Sequence, residues 1–442
     1  MRTLPFCLIV FAGIVVAVCL SSGQAYAEQQ PLELQQLLDQ AKPGSRIVLP
    51  SGTYEGPITI SKPLTLQAAE SAGEVIVRNV SQQPAITLQA DHITLTGLRI
   101  VDEAVKESAS ILVLGNRSVL DQLQVRTGSH GIQAKDANDG TVKRTTIEWA
   151  VDGMRMADKG NGIDLYNAHR WQMTNNTIRA VHDGIYMENS DEALVSRNVI
   201  ERSRYGIHCM YTKRTVIKGN EGKLNVTGAM VMAAEQVAVT GNTFSKQSEN
   251  VNSQGILLFD AHKTTVSDNK IDGNRVGLYV EQSTANQMER NQVSYNFVGI
   301  QLVEASDNTI TSNQFWGNVT DAQARNSDDN TITGNYWDSF RGIDTNGDGH
   351  SELTYAINPL FQGLTRKRAA FQLFFQSPGM IFLEGLYQTE RTRWTTDLSP
   401  LMKPHANLIQ TEHQGDKLIT GLMGLFMLSC TSLLFYKMRR PK

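Results

Sequence analysis

Cysteine is scarce, and where it occurs it cannot staple the chain. The four cysteines are Cys7, Cys19, Cys209 and Cys430. Two lie in an apolar N-terminal stretch and one in an apolar C-terminal stretch. Cys209 alone remains between them, so that part has no intrachain disulfide. A basic excess is also missing: 41 Lys and Arg stand against 44 Asp and Glu, a formal net charge of −3. Nothing there would neutralise a phosphate backbone, which excludes a nucleic-acid binder. No Gly-x-x-x-x-Gly-Lys-[Ser/Thr] loop occurs, so any ATP hydrolysis belongs to a partner. The middle of the chain lacks apolar residues at helical spacing, which excludes helical repeats.

What the middle has instead is a beat of 22 residues. A Gly-aliphatic step recurs at Gly162-Ile163, Gly184-Ile185, Gly206-Ile207 and Gly228-Ala229, then at Gly255-Ile256, Gly277-Leu278 and Gly299-Ile300. Asn176, Asn198, Asn220, Asn242, Asn269, Asn291, Asn313 and Asn335 keep the same time. Two coupled markers at such a period mean a solenoid. The runs between them alternate and are broken by Asn, Gly, Ser and Asp, as strands and turns are. About 22 residues fit one coil of three short strands. The expected fold is therefore all-β, a right-handed parallel β-helix of the pectin-lyase kind. Each Asn suits a left-handed turn residue whose amide stacks on the next coil.

The ends differ from the middle. Residues 1–27 read as a secretory signal peptide: Arg2, the apolar run Phe6–Leu20, then Ala25-Tyr26-Ala27. Val16-Ala17-Val18 before Cys19 is a poor lipobox. Residues 28–45 are expected to cap the first coil, with Leu34, Leu37 and Leu38 at helical spacing. The β-helix is expected over 46–337. Residues 338–416 form a docking or capping segment with one or two short helices. Within 417–437, Leu418–Tyr436 carries no formal charge. As a helix it spans roughly 28 Å, about one hydrocarbon core. Lys437, Arg439, Arg440 and Lys442 follow, so 438–442 is expected in the cytoplasm and the exported part in the periplasm, held to the inner membrane.

The repeat assigns side-chain directions. Counted from each Gly, positions +1 and +3 are almost wholly apolar, so Ile185, Met187, Ile207 and Cys209 point inward. Positions +2 and +4 point outward. Three successive rungs then place His208, Met210, Met230, Met232, Leu257 and Phe259 on one face. An exposed patch of imidazole and thioether groups suits either a soft ion such as Cu(I) or a docking partner. Beside it, Gly228 to Gly255 is longer than a coil, and the extra residues fall within Thr243–Gln254. Asp344, Asn346 and Asp348 resemble the first half of a calcium loop, although Tyr355 stands where an EF-hand has Glu. A structural Ca²⁺ and a plain acidic turn both fit. Glycoside chemistry needs two convergent carboxylates. The repeat face shows no adjacent rungs pairing a carboxylate with His or Arg; His182-Asp183, before Gly184, fits an epimerase-type His/Asp site, but a turn explains it more simply.

Tyr205-Gly-Ile-His-Cys-Met-Tyr211 resembles a rung of the NosD family, which serves in nitrous oxide reductase maturation. Gln254-Gly-Ile-Leu-Leu258, Gly334-Asn-Tyr-Trp-Asp338, Arg341-Gly-Ile-Asp344, Ser377-Pro378 and Asp397-Leu-Ser-Pro-Leu-Met-Lys-Pro404 are similar to its other segments, in order. The resemblance implies a non-enzymatic periplasmic β-helix that works with the permease and ATPase of an ABC transporter. It implies a part in building the copper–sulfur centre of nitrous oxide reductase, with copper as a ligand. His208, Met210 and Tyr211 carry over as family-typical positions, and the C-terminal helices as the transporter contact. Two features depart from the family: the next rung reads Gly-Ala-Met-Val-Met-Ala-Ala, and a C-terminal membrane helix is present. The alternative expectation, from the β-helix fold, is a periplasmic polysaccharide lyase or uronate epimerase.

Overall fold

The computed structural model describes residues 34–69, 73–247, 250, 253–374, 377–387, 394–404 and 427. Short strands join into three sheets of 15, 13 and 12 strands. Every third strand of the chain is a neighbour, and pairing along the coils is parallel, so the chain passes through all three sheets once per turn. The all-β solenoid is thus observed, from Arg46–Leu49 to Tyr336–Trp337. The last two strands of the first sheet, Tyr355–Ala356 and Thr396–Asp397, come from the C-terminal segment and pair antiparallel.

The inward columns are as the repeat predicts. Ile163, Ile185, Ile207 and Ile256 are fully buried, as are Leu165, Met187, Cys209 and Val231. Each such Ile or Leu contributes about 1.5–3 kcal/mol by leaving water. The Asn column binds the coils together. Asn176 Nδ2 donates to Asn198 Oδ1 at 3.0 Å, Asn198 to Asn220 at 2.9 Å, and the series runs on to Asn335. One detail differs from expectation. The left-handed residue is the one before each Asn, such as Asn175, Arg197, Gly219 and Gly241. That turn leaves the Asn itself free to aim its amide inward along the stack. Asp397 ends the ladder, its Oδ2 accepting from Asn335 Nδ2 at 3.0 Å and Trp337 Nε1 at 2.9 Å.

Both ends of the stack are covered. Helix α1 (Leu34–Gln40) buries Leu34 and Leu38. Its Gln35 amide acts as a strand would, donating to Thr59 O at 3.1 Å and accepting from Thr59 N at 2.8 Å. This satisfies an edge that would otherwise be open. At the far end lie α2 (Leu360–Lys367), α3 (Pro378–Leu386) and a 3-10 turn at Ala369–Phe374. The proposed leader 1–27 and the segment Leu418–Tyr436 fall outside the described residues, Met427 excepted. Among the described residues no helix is long and apolar enough to cross a membrane.

Two enlarged coils flank the candidate site. The expected insertion lies between strands Thr243–Ser245 and Gln254–Phe259. A second follows strand Thr146–Trp149, where equivalent residues are 31 apart, and includes the turn Met156–Asp158. Both occupy the corner that leads into the third sheet, and the coils between them carry the candidate site.

Candidate functional site

The third sheet places the expected patch in two outward columns. Asp164, Tyr186, His208, Met230 and Leu257 are register partners in one, and Tyr166, Glu188, Met210, Met232 and Phe259 in the other. They face away from the core, but they are not an open patch. His208 is 5% exposed, Met230 8% and Leu257 9%; Met210, Met232 and Phe259 are half-buried. The expectation of an exposed face is corrected here. Large side chains stacked about 4.8 Å apart cover one another.

A second correction concerns Asp183. It lies in strand Asp183–Glu188, not in a turn. The register pairs Asp183 with Tyr205 and Ile185 with Ile207, leaving Gly184 unmatched. A Cβ on Gly184 would meet Ile200 Cγ2 at 2.4 Å and Gly206 O at 2.5 Å. Gly184 and Ile185 therefore both turn to the core side, and the alternation slips by one residue. The slip brings Asp183 to the outer face beside the rung above.

There Asp183 is held by two side chains. His208 Nδ1 lies 2.9 Å from Oδ2. Arg204 donates Nε to Oδ1 at 2.8 Å and Nη2 to Oδ2 at 2.7 Å. The carboxylate is 1% exposed. Burial alone would raise its pKa; the hydrogen bonds from His208 and Arg204 outweigh burial and hold it at about 2. An ionised Asp183 accepts only, which makes Nδ1 of His208 the donor. The imidazole is fixed further by Tyr186, 5.0 Å away between centroids, and by Tyr205 at 4.9 Å, edge-on. The Arg204 guanidinium sits 4.3 Å from the Tyr205 ring centre. Tyr186 donates to Glu188 at 2.7 Å and lies 3.5 Å from the Met210 sulfur. Burial, and then Glu188, raise its phenol pKa well above the usual value.

With Nδ1 committed, His208 Nε2 is buried and has no hydrogen-bond partner among the described residues. A buried imidazole nitrogen in that state asks for an explanation. Close by, His130 Nδ1 lies 2.9 Å from Asp164 Oδ2, which Asn161 also holds at 2.9 Å. His182 is half-buried between the pairs; desolvation lowers its pKa against the opposing charge of Asp183.

Among the described residues no three His, Cys, Asp or Glu side chains converge on one point. A metal at this face would rest on His208 Nε2 and the thioethers of Met210, Met230 and Met232, a soft donor set. An imidazole whose other nitrogen is held by a carboxylate is the usual form of a metal-binding histidine. Cys209 takes no part; it faces the core, and burial pushes its thiol up to about 12. At the expected calcium loop the oxygens serve the loop's own amides. Asp344 accepts from Gly347 N and Gly349 N, Asn346 from Asp348 N, and Asp348 from His350 N. Glu352 is held by Thr345.

Fold and site together define a parallel β-helix with a carboxylate-held histidine beside methionines on its third sheet. The resemblance drawn from the rungs has support from both family and relative comparisons. Residues 150–346 match the family described as "Periplasmic copper-binding protein (NosD)". A "Probable ABC transporter binding protein NosD" of Stutzerimonas stutzeri is 26% identical over 179 residues, 39% of this chain and 40% of that protein. The match thus spans about two fifths of that relative's length. Solved structures of similar shape include the A-module of the mannuronan C-5 epimerase AlgE6 of Azotobacter vinelandii, with TM-score 0.47 and 16% identity over 68% of this chain and 87% of that one. The periplasmic alginate epimerase AlgG aligns with TM-score 0.47 and 12% identity over 65% and 82%. Likenesses of that size carry no argument about activity.

Proposed function

We propose that this chain is a non-enzymatic periplasmic accessory protein that serves the copper–sulfur centre of nitrous oxide reductase together with a membrane ABC transporter. The family and the printed name of the Stutzerimonas relative support that role. The observation that carries a copper contact is the buried Nε2 of His208, unpartnered among the described residues, on a ring that Asp183 holds at Nδ1, with Met230 its register partner and Met210 and Met232 in the next column. Copper would be the cargo of this face. A soft monovalent ion suits imidazole and thioether ligands, and the covered site keeps water and harder ligands away from it. Leu418–Tyr436 would anchor the solenoid beside the transporter, raising its effective concentration there.

The test is nitrous oxide reduction in a strain that lacks this gene, with the reductase purified and its copper counted. An exported, copper-deficient and inactive reductase is expected. A fully loaded, active enzyme would contradict the role.

A second reading has one observation in its favour. A histidine oriented by a carboxylate next to tyrosine is also an acid–base arrangement, as a uronate lyase or epimerase needs. Against it, Arg204 is already engaged by Asp183, and Nε2 is closed to a polymer. Turnover of alginate or polygalacturonate by the purified chain would favour it.

A further inference from the structure

The solenoid does not end evenly. The first and second sheets continue to strands Thr331–Thr333 and Tyr336–Trp337, whereas the third stops at Thr320–Arg325. The C-terminal segment lies over that end and leaves a cavity of about 420 Å³. Its walls include Tyr355 and Phe361. Its polar lining is incompletely satisfied. Asp321, 2% exposed, accepts from Ser339 Oγ at 2.6 Å and Ser339 N at 3.2 Å and takes a longer bond from Asn318. Neither Asp321 nor Glu384 of α3 forms an ion pair among the described residues, and burial raises both carboxyls, Asp321 to about 6. Gln323, 7% exposed, lines the same space and its amide makes no hydrogen bond among the described residues. Thr320 Oγ1 is likewise buried without a partner among them.

A buried and a half-buried carboxylate without a cation, an idle amide and an idle hydroxyl are a costly set of groups to leave unmatched. We propose that this cavity binds an ammonium or guanidinium group on a short apolar stem, with Asp321 and Glu384 as counter-charges, Gln323 and Thr320 as further acceptors, and Tyr355 and Phe361 against the stem. A hard divalent ion fits less well, since it takes six or more oxygen ligands and the aromatic walls offer none. The group would come from a lysine or arginine side chain of a partner protein or from a free amine. This site is separate from the His208 face and independent of the copper reading.

The test is calorimetric titration of the full exported chain with n-butylammonium, Nα-acetyl-lysine methylamide and 1-butanol. Saturable one-to-one binding of the two ammonium probes is expected, with no binding of 1-butanol. Glu384→Gln should weaken it by about tenfold, the loss of one charge-assisted hydrogen bond, with an unchanged melting temperature. Tighter binding of the lysine derivative would point to a protein side chain, and equal or weaker binding to a free amine. Failure of both ammonium probes to bind would overturn the proposal, as would equal binding of 1-butanol or undiminished binding in Glu384→Gln. Asp321→Asn supplies the same comparison if Glu384→Gln does not fold.

Discussion

At His208 the chemistry turns on which ring nitrogen is left open. Asp183 takes Nδ1, so the neutral ring carries its lone pair on Nε2. Removing Asp183 strips acceptors from His208 and Arg204 together. Asp183→Ala is therefore expected to cost roughly 3 kcal/mol, measured by urea denaturation, because it leaves a cation with no buried partner. A loss below about 0.5 kcal/mol, the range of ordinary surface changes, would show the triad to be a surface feature. Asp321 offers a pH prediction of the opposite kind. Its carboxyl titrates at about 6 in the folded chain, above its ordinary value of 3.8, because burial penalises the charge. Between those values the folded state binds the extra proton. Stability from this group is thus fully present below about pH 4 and is lost as pH rises through 6. Asp321→Asn should flatten that dependence and gain about 2 kcal/mol over wild type at pH 7. Parallel unfolding curves at pH 4.5 and 7 would reveal it; an identical pH slope in the two proteins would refute it.

At the scale of strands, the coils are tied by Asn stacks and by glycines that admit no side chain. Asn198 is fully buried, accepts from Asn176 and donates to Asn220 and to Met173 O. Asn198→Ala should cost about 1–3 kcal/mol through the groups it leaves unsatisfied. Gly184→Ala should prevent soluble folding, since the neighbouring contacts in the way include the backbone of the next coil. These columns were legible in the sequence because one residue type recurs at one phase. The inward Ile and Leu columns were legible for the same reason. Asp183 was not, although His182-Asp183 stood out. Strict alternation puts that position inward, and only the doubled inward step at Gly184-Ile185 reverses it. The closure of the Met/His face was also hidden, because a single rung says nothing of how its neighbours overlap it. The second stack, Asn274 to Asn296 to Asn318, shares the 22-residue beat but sits in the corner that one insertion disturbs.

Over the whole molecule, two enlarged coils flank the His208 rungs at one corner, and the C-terminal segment closes the far end. If both proposed sites are used, the solenoid would set the distance between a partner at its face and one at its end. If Leu418–Tyr436 is its anchor, deletion of residues 418–442 should move the chain from the alkali-resistant membrane fraction to the soluble periplasm. Retention in the membrane fraction would place the attachment elsewhere. The central claim is that the His208 face accepts a soft ion. The most direct measurement is Cu(I) competition against a chromophoric chelator, with X-ray absorption at the copper edge, on the exported chain and on the Met210→Leu, Met230→Leu, Met232→Leu triple variant. The volume-conserving changes leave the packing intact. One bound ion with nitrogen and sulfur neighbours is predicted in the wild type, with the sulfur signal and most of the affinity lost in the variant. Equal copper uptake by both proteins, with no sulfur neighbour in either, would contradict it.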